Sequence, residues 1–144
     1  VRSALNVGSS FRTSDAFRIE KIYLCGITAT PPNKEIRKSA LGATESVKWE
    51  KVEDTESTIK KLKSEGYHIC AIEQTVDSTM LNDFIPDEKP IAVVFGNEVH
   101  GVQQSVVDLC NQSIEIPQIG TKHSLNISVS VGIVIWDLYK KIVI

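Results

Sequence analysis

"TKHSLNISVSVGIVIWDL", residues 121–138, sets a polar Ser-Leu-Asn step against a nearly uncharged run of β-branched residues. Ile127, Val129, Val131, Ile133 and Ile135 alternate with Ser128, Ser130, Gly132 and Val134, and by periodicity alone that pattern is a strand. A helix is disfavoured locally, because β-branched side chains lose rotamer freedom against the preceding turn. Strand or helix here decides the fold, and the answer comes from the rest of the chain.

The 144 residues suit one domain, 1–144, with its own core. Apolar residues make up 42% and charged ones 24%, as in ordinary globular proteins, and a formal net charge of −2 gives no global field to attract nucleic acid. Local basic segments remain at Lys34–Lys38, at Lys60, Lys61 and Lys63, and at Lys140–Lys141; solvated helix faces account for them as well as RNA contacts do. Cys25, Cys70 and Cys110 are odd in number and widely spaced, which predicts free thiols in a reducing, cytoplasmic setting. His68, His100 and His123 lack metal-ligand spacing, so no metal is expected. No apolar run approaches the roughly 20 residues of a membrane span, no signal peptide is visible, and the start at Val1 without Met suggests a trimmed chain.

Short apolar runs alternate with amphipathic ones, which predicts an α/β fold with a mainly parallel sheet flanked by helices. Residues 6–17 (NVGSSFRTSDAF) read as a helix capped by Asn6, with Phe11 and Phe17 inward. Strands are expected at 21–27, 45–52, 67–74, 90–96 and 112–117. Helices are expected after Pro32, ending at Gly42; over 54–66, capped by Thr55 or Ser57, with Ile59 and Leu62 in the core and Gly66 as the stop; and over 102–110, with Val102, Val106 and Leu109 on one face.

Unusual residue choices fall in three segments, two of them at strand ends, where ligands gather in open α/β sheets. In the first, Arg12 lies one helical turn from Asp15, and an exposed ion pair is the plain reading. The second is Phe95–Gly101, where Gly96 and Gly101 permit positive φ or close approach of a ligand to the backbone; a simple βα turn is the alternative. In the third, Ile116–Asn126, Pro117 and Gly120 shape a loop and Ser124 can cap the following element.

Together and in this order the segments closely resemble the SpoU (TrmH-like) group of S-adenosylmethionine-dependent RNA ribose methyltransferases, in the SPOUT class. The matching residues are Asn6, Gly8, Arg12 and Thr13 in the first motif, Gly96, Glu98 and Gly101 in the second, and Ile116, Pro117, Gly120, Ser124, Leu125 and Asn126 in the third. Ser14, Arg18 and Val99 depart from the group's usual small residues, and Val1–Ser3 are too short for the strand that precedes its first motif.

The resemblance implies that the opening stretch is the C-terminal helix. Being apolar all round, that helix needs the sheet on one side and a second subunit on the other. It also implies a C-terminal trefoil knot whose loops hold S-adenosylmethionine, drawing on Phe95, Gly96, Asn97, Gly101, Ile116, Pro117, Gly120, Ser124, Leu125 and Asn126, with Glu73 as a further wall. The implied catalytic set is Arg12, Asn6, Glu98, Ser124 and Asn126, with Glu98 holding Arg12 or Asn6. Because proteins rarely deprotonate a guanidinium, Arg12 is expected to fix an RNA phosphate and stabilise a developing alkoxide. The implied partners are RNA, tRNA before rRNA, and a second copy; His123 is an RNA contact or a loop residue. A non-catalytic RNA-binding member of the scaffold is the alternative. An unrelated nucleotide-binding domain is disfavoured by the lack of a Gly-x-Gly-x-x-Gly or Walker-type loop.

Overall fold

The computed structural model describes residues 1–144 except His123, so the expectation for His123 lies outside the described residues. The stretch 127–142 is a helix, α6 (Ile127–Ile142). Its β-branched residues cost several tenths of a kcal/mol each in propensity, while burying a side chain such as Val or Leu returns roughly 1.5–3 kcal/mol. Val131, Val134, Ile135 and Leu138 are buried, so tertiary burial outweighs the local preference. Asn126 caps the helix: its Oδ1 accepts from the Ser128 backbone N–H at 2.8 Å and from the Ser128 hydroxyl at 2.6 Å. The expected cap, Ser124, lies outside the first turn.

The chain begins with α1 (Ala4–Ala16) and then β1 (Lys21–Cys25), α2 (Lys34–Ala40), α3 (Ala43–Ser46) and β2 (Lys48–Val52). Next come α4 (Thr55–Ser64), β3 (His68–Ile72), β4 (Thr79–Met80), a 3-10 turn at Leu81–Asp83, β5 (Ile91–Val94), α5 (Gln104–Leu109) and β6 (Gln112–Glu115). All strand pairings are parallel, but they form two sheets, β1–β2 and β4–β6–β3–β5. β1 and β5 therefore each have a strand neighbour on one side only, and every residue of β5 stays half-buried. Val1–Ser3 form no strand.

Several local expectations are corrected. α1 starts at Ala4 with Ser3 as its cap, and Asn6 lies inside the first turn, donating its backbone N–H to Ser3 Oγ at 3.3 Å. Asp54, not Thr55 or Ser57, caps α4, accepting from the Glu56 N–H and the Ser57 hydroxyl. Each of these stretches offers several side chains able to cap, and the entry angle of the backbone selects among them. α2 ends at Leu41, itself left-handed at φ 51°, so Gly42 opens α3, a turn that covers the front of the expected strand 45–52.

Alternation along β3 sends Cys70 to one face and Ile69 to the other. Cys70 joins Leu81, Phe84, Ile114, Val134 and Leu138 beneath α6, whereas Ile69 joins Ile59, Leu62 and Val106 beneath α4 and α5. Burial pushes the Cys70 thiol up to about 12, with Cys110 adding to the effect, so it stays protonated and inert. Lys141 ties the end of α6 to the 3-10 turn, donating to the carbonyls of Leu81 (2.6 Å) and Phe84 (2.9 Å) and pairing with Asp137 Oδ2 at 2.6 Å. Among the described residues no helix is long and apolar enough to cross a membrane.

A third cluster, Val7, Phe11, Leu24, Ile36, Ala40, Ala43 and Val47, joins α1 to α2, α3 and β1. Gly8 sets the closeness of α1 to α2: a Cβ there would lie 1.9 Å from Ser39 Oγ and 2.6 Å from the Ile36 carbonyl oxygen. The serine can rotate away, but the carbonyl cannot. Gly8→Ala is therefore expected to lose about 1–2 kcal/mol in urea unfolding, overpacking outweighing the better helix propensity of alanine. Adding Ser39→Ala should recover only part of the loss.

Candidate active site

The carboxyl ends of β3 and β6 and the segment leading into α6 enclose a hollow of about 200 Å³, lined by Ile72, Glu73, Gln74, Ile114, Glu115, Ile116, Gln118, Ser124, Leu125 and Ser130. That volume is below the roughly 300–1,000 Å³ of most ligand pockets, so a nucleoside-sized molecule would lie partly outside it. Four aliphatic side chains give it apolar walls, and among the described residues its lining has two carboxylates and no basic side chain, which gives it a negative field. Glu115 Oε1 accepts from the Ser78 hydroxyl at 2.7 Å, drawing the segment after β3 toward the rim.

Of the residues expected to hold a cofactor, Glu73, Ile116, Ser124 and Leu125 line this hollow; Phe95, Gly96, Asn97, Gly101, Pro117, Gly120 and Asn126 do not. Phe95 packs into the cluster beneath α6. Asn126 has its side-chain amide oxygen committed to the cap of α6. A Cβ at Gly120 would meet nothing within 4 Å. Gln118 falls within the stretch singled out, whereas Gln74, Ile114, Glu115 and Ser130 were missed, and their only sequence signal was closeness to residues already singled out.

The 97–101 segment is a tight loop closed on itself. Asn97 and Gly101 exchange backbone hydrogen bonds at 3.0 and 2.9 Å, while Asn97 Oδ1 accepts from the N–H groups of Val99 and His100. Gly101 adopts φ +68°. Gly96 makes the closure possible, since a Cβ there would fall 2.1–2.3 Å from Gly101 C and O and Val102 N. The close approach expected of a ligand at Gly96 is made instead by the protein's own backbone.

Glu98 accepts from the backbone N–H of Arg2 at 2.9 and 3.1 Å and of Ser3 at 3.1 Å. It thus holds the start of α1, where free N–H groups and the helix dipole favour a carboxylate, and does not hold the side chains of Asn6 or Arg12. The expected Arg12–Asp15 pair is absent too, because Asp15 accepts from the Ser46 hydroxyl at 2.7 Å. Among the described residues no partner holds the Arg12 guanidinium, which stands exposed on α1. Nor do three or more His, Cys, Asp or Glu residues gather there as a metal site.

Comparison with known proteins extends these observations. The model of the SpoU rRNA Methylase family matches residues 1–136. A Staphylococcus haemolyticus protein assigned to the TrmH family of tRNA/rRNA methyltransferases is 31% identical over 136 residues, 94% of this chain and 54% of its own length. A 23S rRNA (guanosine-2'-O-)-methyltransferase of Neisseria meningitidis is 31% identical over 130 residues, 90% of this chain and 51% of its own. The chain thus spans about half the length of these relatives. Two crystal structures of an rRNA methyltransferase from Sinorhizobium meliloti, one of them AdoMet bound, share the fold at TM-score 0.91 each. They are 25% and 24% identical, and the match covers 100% and 99% of this chain and 54% of each of theirs. With a family model matching nearly its whole length, the chain belongs to the SpoU methylase family.

Proposed function

We propose that this domain is an S-adenosylmethionine-dependent RNA methyltransferase that modifies a ribose 2'-hydroxyl, with tRNA preferred over rRNA. The observation that carries the reading is the hollow built by 72–74, 114–118 and 124–130 at the carboxyl ends of β3 and β6. Its lining fits the donor: Ile72, Ile114, Ile116 and Leu125 suit a nucleoside face, and the Glu115 carboxylate favours a cation. When bound, S-adenosylmethionine supplies a methyl group on a positively charged sulfur. Ser124 and Gln118 offer hydrogen bonds to its polar groups or to the acceptor ribose. The guanidinium fork of Arg12, with no partner among the described residues, suits an RNA phosphate and the charge developing on the attacked hydroxyl. The 2'-O position is supported by the Neisseria relative's described reaction. The knotted threading implied by the resemblance belongs to the same proposal.

The same reading includes a two-fold dimer through α6. Val129, Ile133 and Trp136, spaced four and three residues apart, line one helix face and are 49%, 37% and 45% exposed. Leu125, 40% exposed, lies just before them. An apolar stripe beside the hollow fits a second copy and would bring the partner's surface to the site.

With labelled S-adenosylmethionine and separate tRNA and rRNA pools, the purified protein should methylate tRNA at an alkali-resistant ribose. Arg12→Ala should lower transfer by about 100-fold or more while cofactor affinity by calorimetry stays unchanged. Wild-type turnover in Arg12→Ala would remove the guanidinium from the reaction; cofactor binding without transfer to any RNA would favour a non-catalytic role. In sedimentation at micromolar concentration the protein should run as a dimer and Ile133→Glu as a monomer; a wild-type monomer would overturn the α6 interface.

A further inference from the structure

Residues 97–102 make only two attachments to the rest of the described structure through hydrogen bonds, and both are carboxylates. At one end Glu98 holds Arg2 and Ser3. At the other, Glu73 Oε2 accepts from the Val102 backbone N–H at 2.9 Å across 29 residues of sequence. Its second oxygen accepts from the Gln74 N–H at 3.2 Å, which fixes the carboxylate plane. The loop backbone lies flush against this group: a Cβ on Gly101 would stand 2.3 Å from Glu73 Oε2. Glu73 is half-buried and also lines the hollow. The periodicity of β3 gives no hint of the link, because Glu73 follows the last strand residue.

We propose that Glu73 is a positioning residue for the methyl-donor pocket: it lines the hollow itself and, through the Val102 N–H, fastens the 97–101 loop behind that wall. The inference rests on the reading of the hollow as the donor site. Each oxygen of Glu73 accepts from one backbone N–H, and the contribution assigned to it is the loop's placement. Because the same loop carries Glu98 at its other attachment, its placement also sets where α1 begins, and with it the register of Asn6 and Arg12. Loss of a hydrogen bond to a charged acceptor corresponds to roughly a 10- to 100-fold change in an equilibrium.

Three variants separate this role from a direct one. Glu73→Ala removes the acceptor; Glu73→Asp keeps the charge but is one methylene too short; Glu73→Gln keeps the length and an acceptor oxygen without the charge. Amide hydrogen exchange of Val102, read without cofactor, should speed up at least about 10-fold in the Ala and Asp variants and much less in Gln. S-adenosylmethionine affinity by calorimetry should fall about 10- to 100-fold in Ala and Asp and recover to within about 3-fold in Gln. Unchanged Val102 exchange in Glu73→Ala and Glu73→Asp overturns the proposal. Cofactor binding as weak in Gln as in Ala also overturns it, since that pattern marks a carboxylate touching the cationic donor. A wild-type protein that binds no S-adenosylmethionine would refute the donor-site reading, and the exchange measurement would still decide whether Glu73 holds the loop.

Discussion

Burial of one face of α6 is the constraint on which the rest of the molecule depends. The helix is built from residues that would rather be extended, and Val131, Val134, Ile135 and Leu138 hold it against the sheet. Its docking brings Ser130 and the preceding Leu125 over the ends of β3 and β6, so the hollow exists only while the helix is seated. Lys141 fastens the far end by bonding to two backbone carbonyls and to Asp137. Phe17 at the end of α1 meets Tyr139 at 5.3 Å, so the helix bearing Arg12 is oriented by the same element.

Charged groups around the site divide into two kinds. Glu73, Glu98 and Asp15 are each engaged with a backbone N–H or a hydroxyl, and their work is architectural. Arg12 is exposed and, among the described residues, has no partner, on a helix whose first turn is anchored by Glu98.

Elements set by a strong apolar pattern were legible in the sequence. The strands at β3, β5 and β6 and the core positions Ile59, Leu62 and Val106 follow from short β-branched runs and helical spacing. The identity of α6 was not legible from periodicity, which pointed to a strand; only the likeness of the Ser-Leu-Asn motif to a family identified it. Caps were misassigned at Asn6, Thr55 or Ser57, and Ser124, because neighbouring polar residues are chemically equivalent until the chain's path is known. The split into two sheets, the Gly96 contact with Gly101 and the Glu73 link to Val102 join residues distant in the chain or on opposite sides of a loop, and no local pattern encodes such meetings. Four of the expected cofactor residues do meet at the hollow; the glycines of the middle motif serve the loop's own closure.

The two tryptophans fall in different environments. Trp49 packs against the α1–α2 cluster, while Trp136 lies on α6 with Phe17 at 5.9 Å and Tyr139 at 6.2 Å. One indole is thus partly buried against that cluster on the β1–β2 side, and the other, 45% exposed, lies on the terminal helix. Their emission maxima and quencher accessibility should differ enough to be resolved. The chain carries two native chromophores, able to distinguish loosening of one lobe from undocking of the other without an added label.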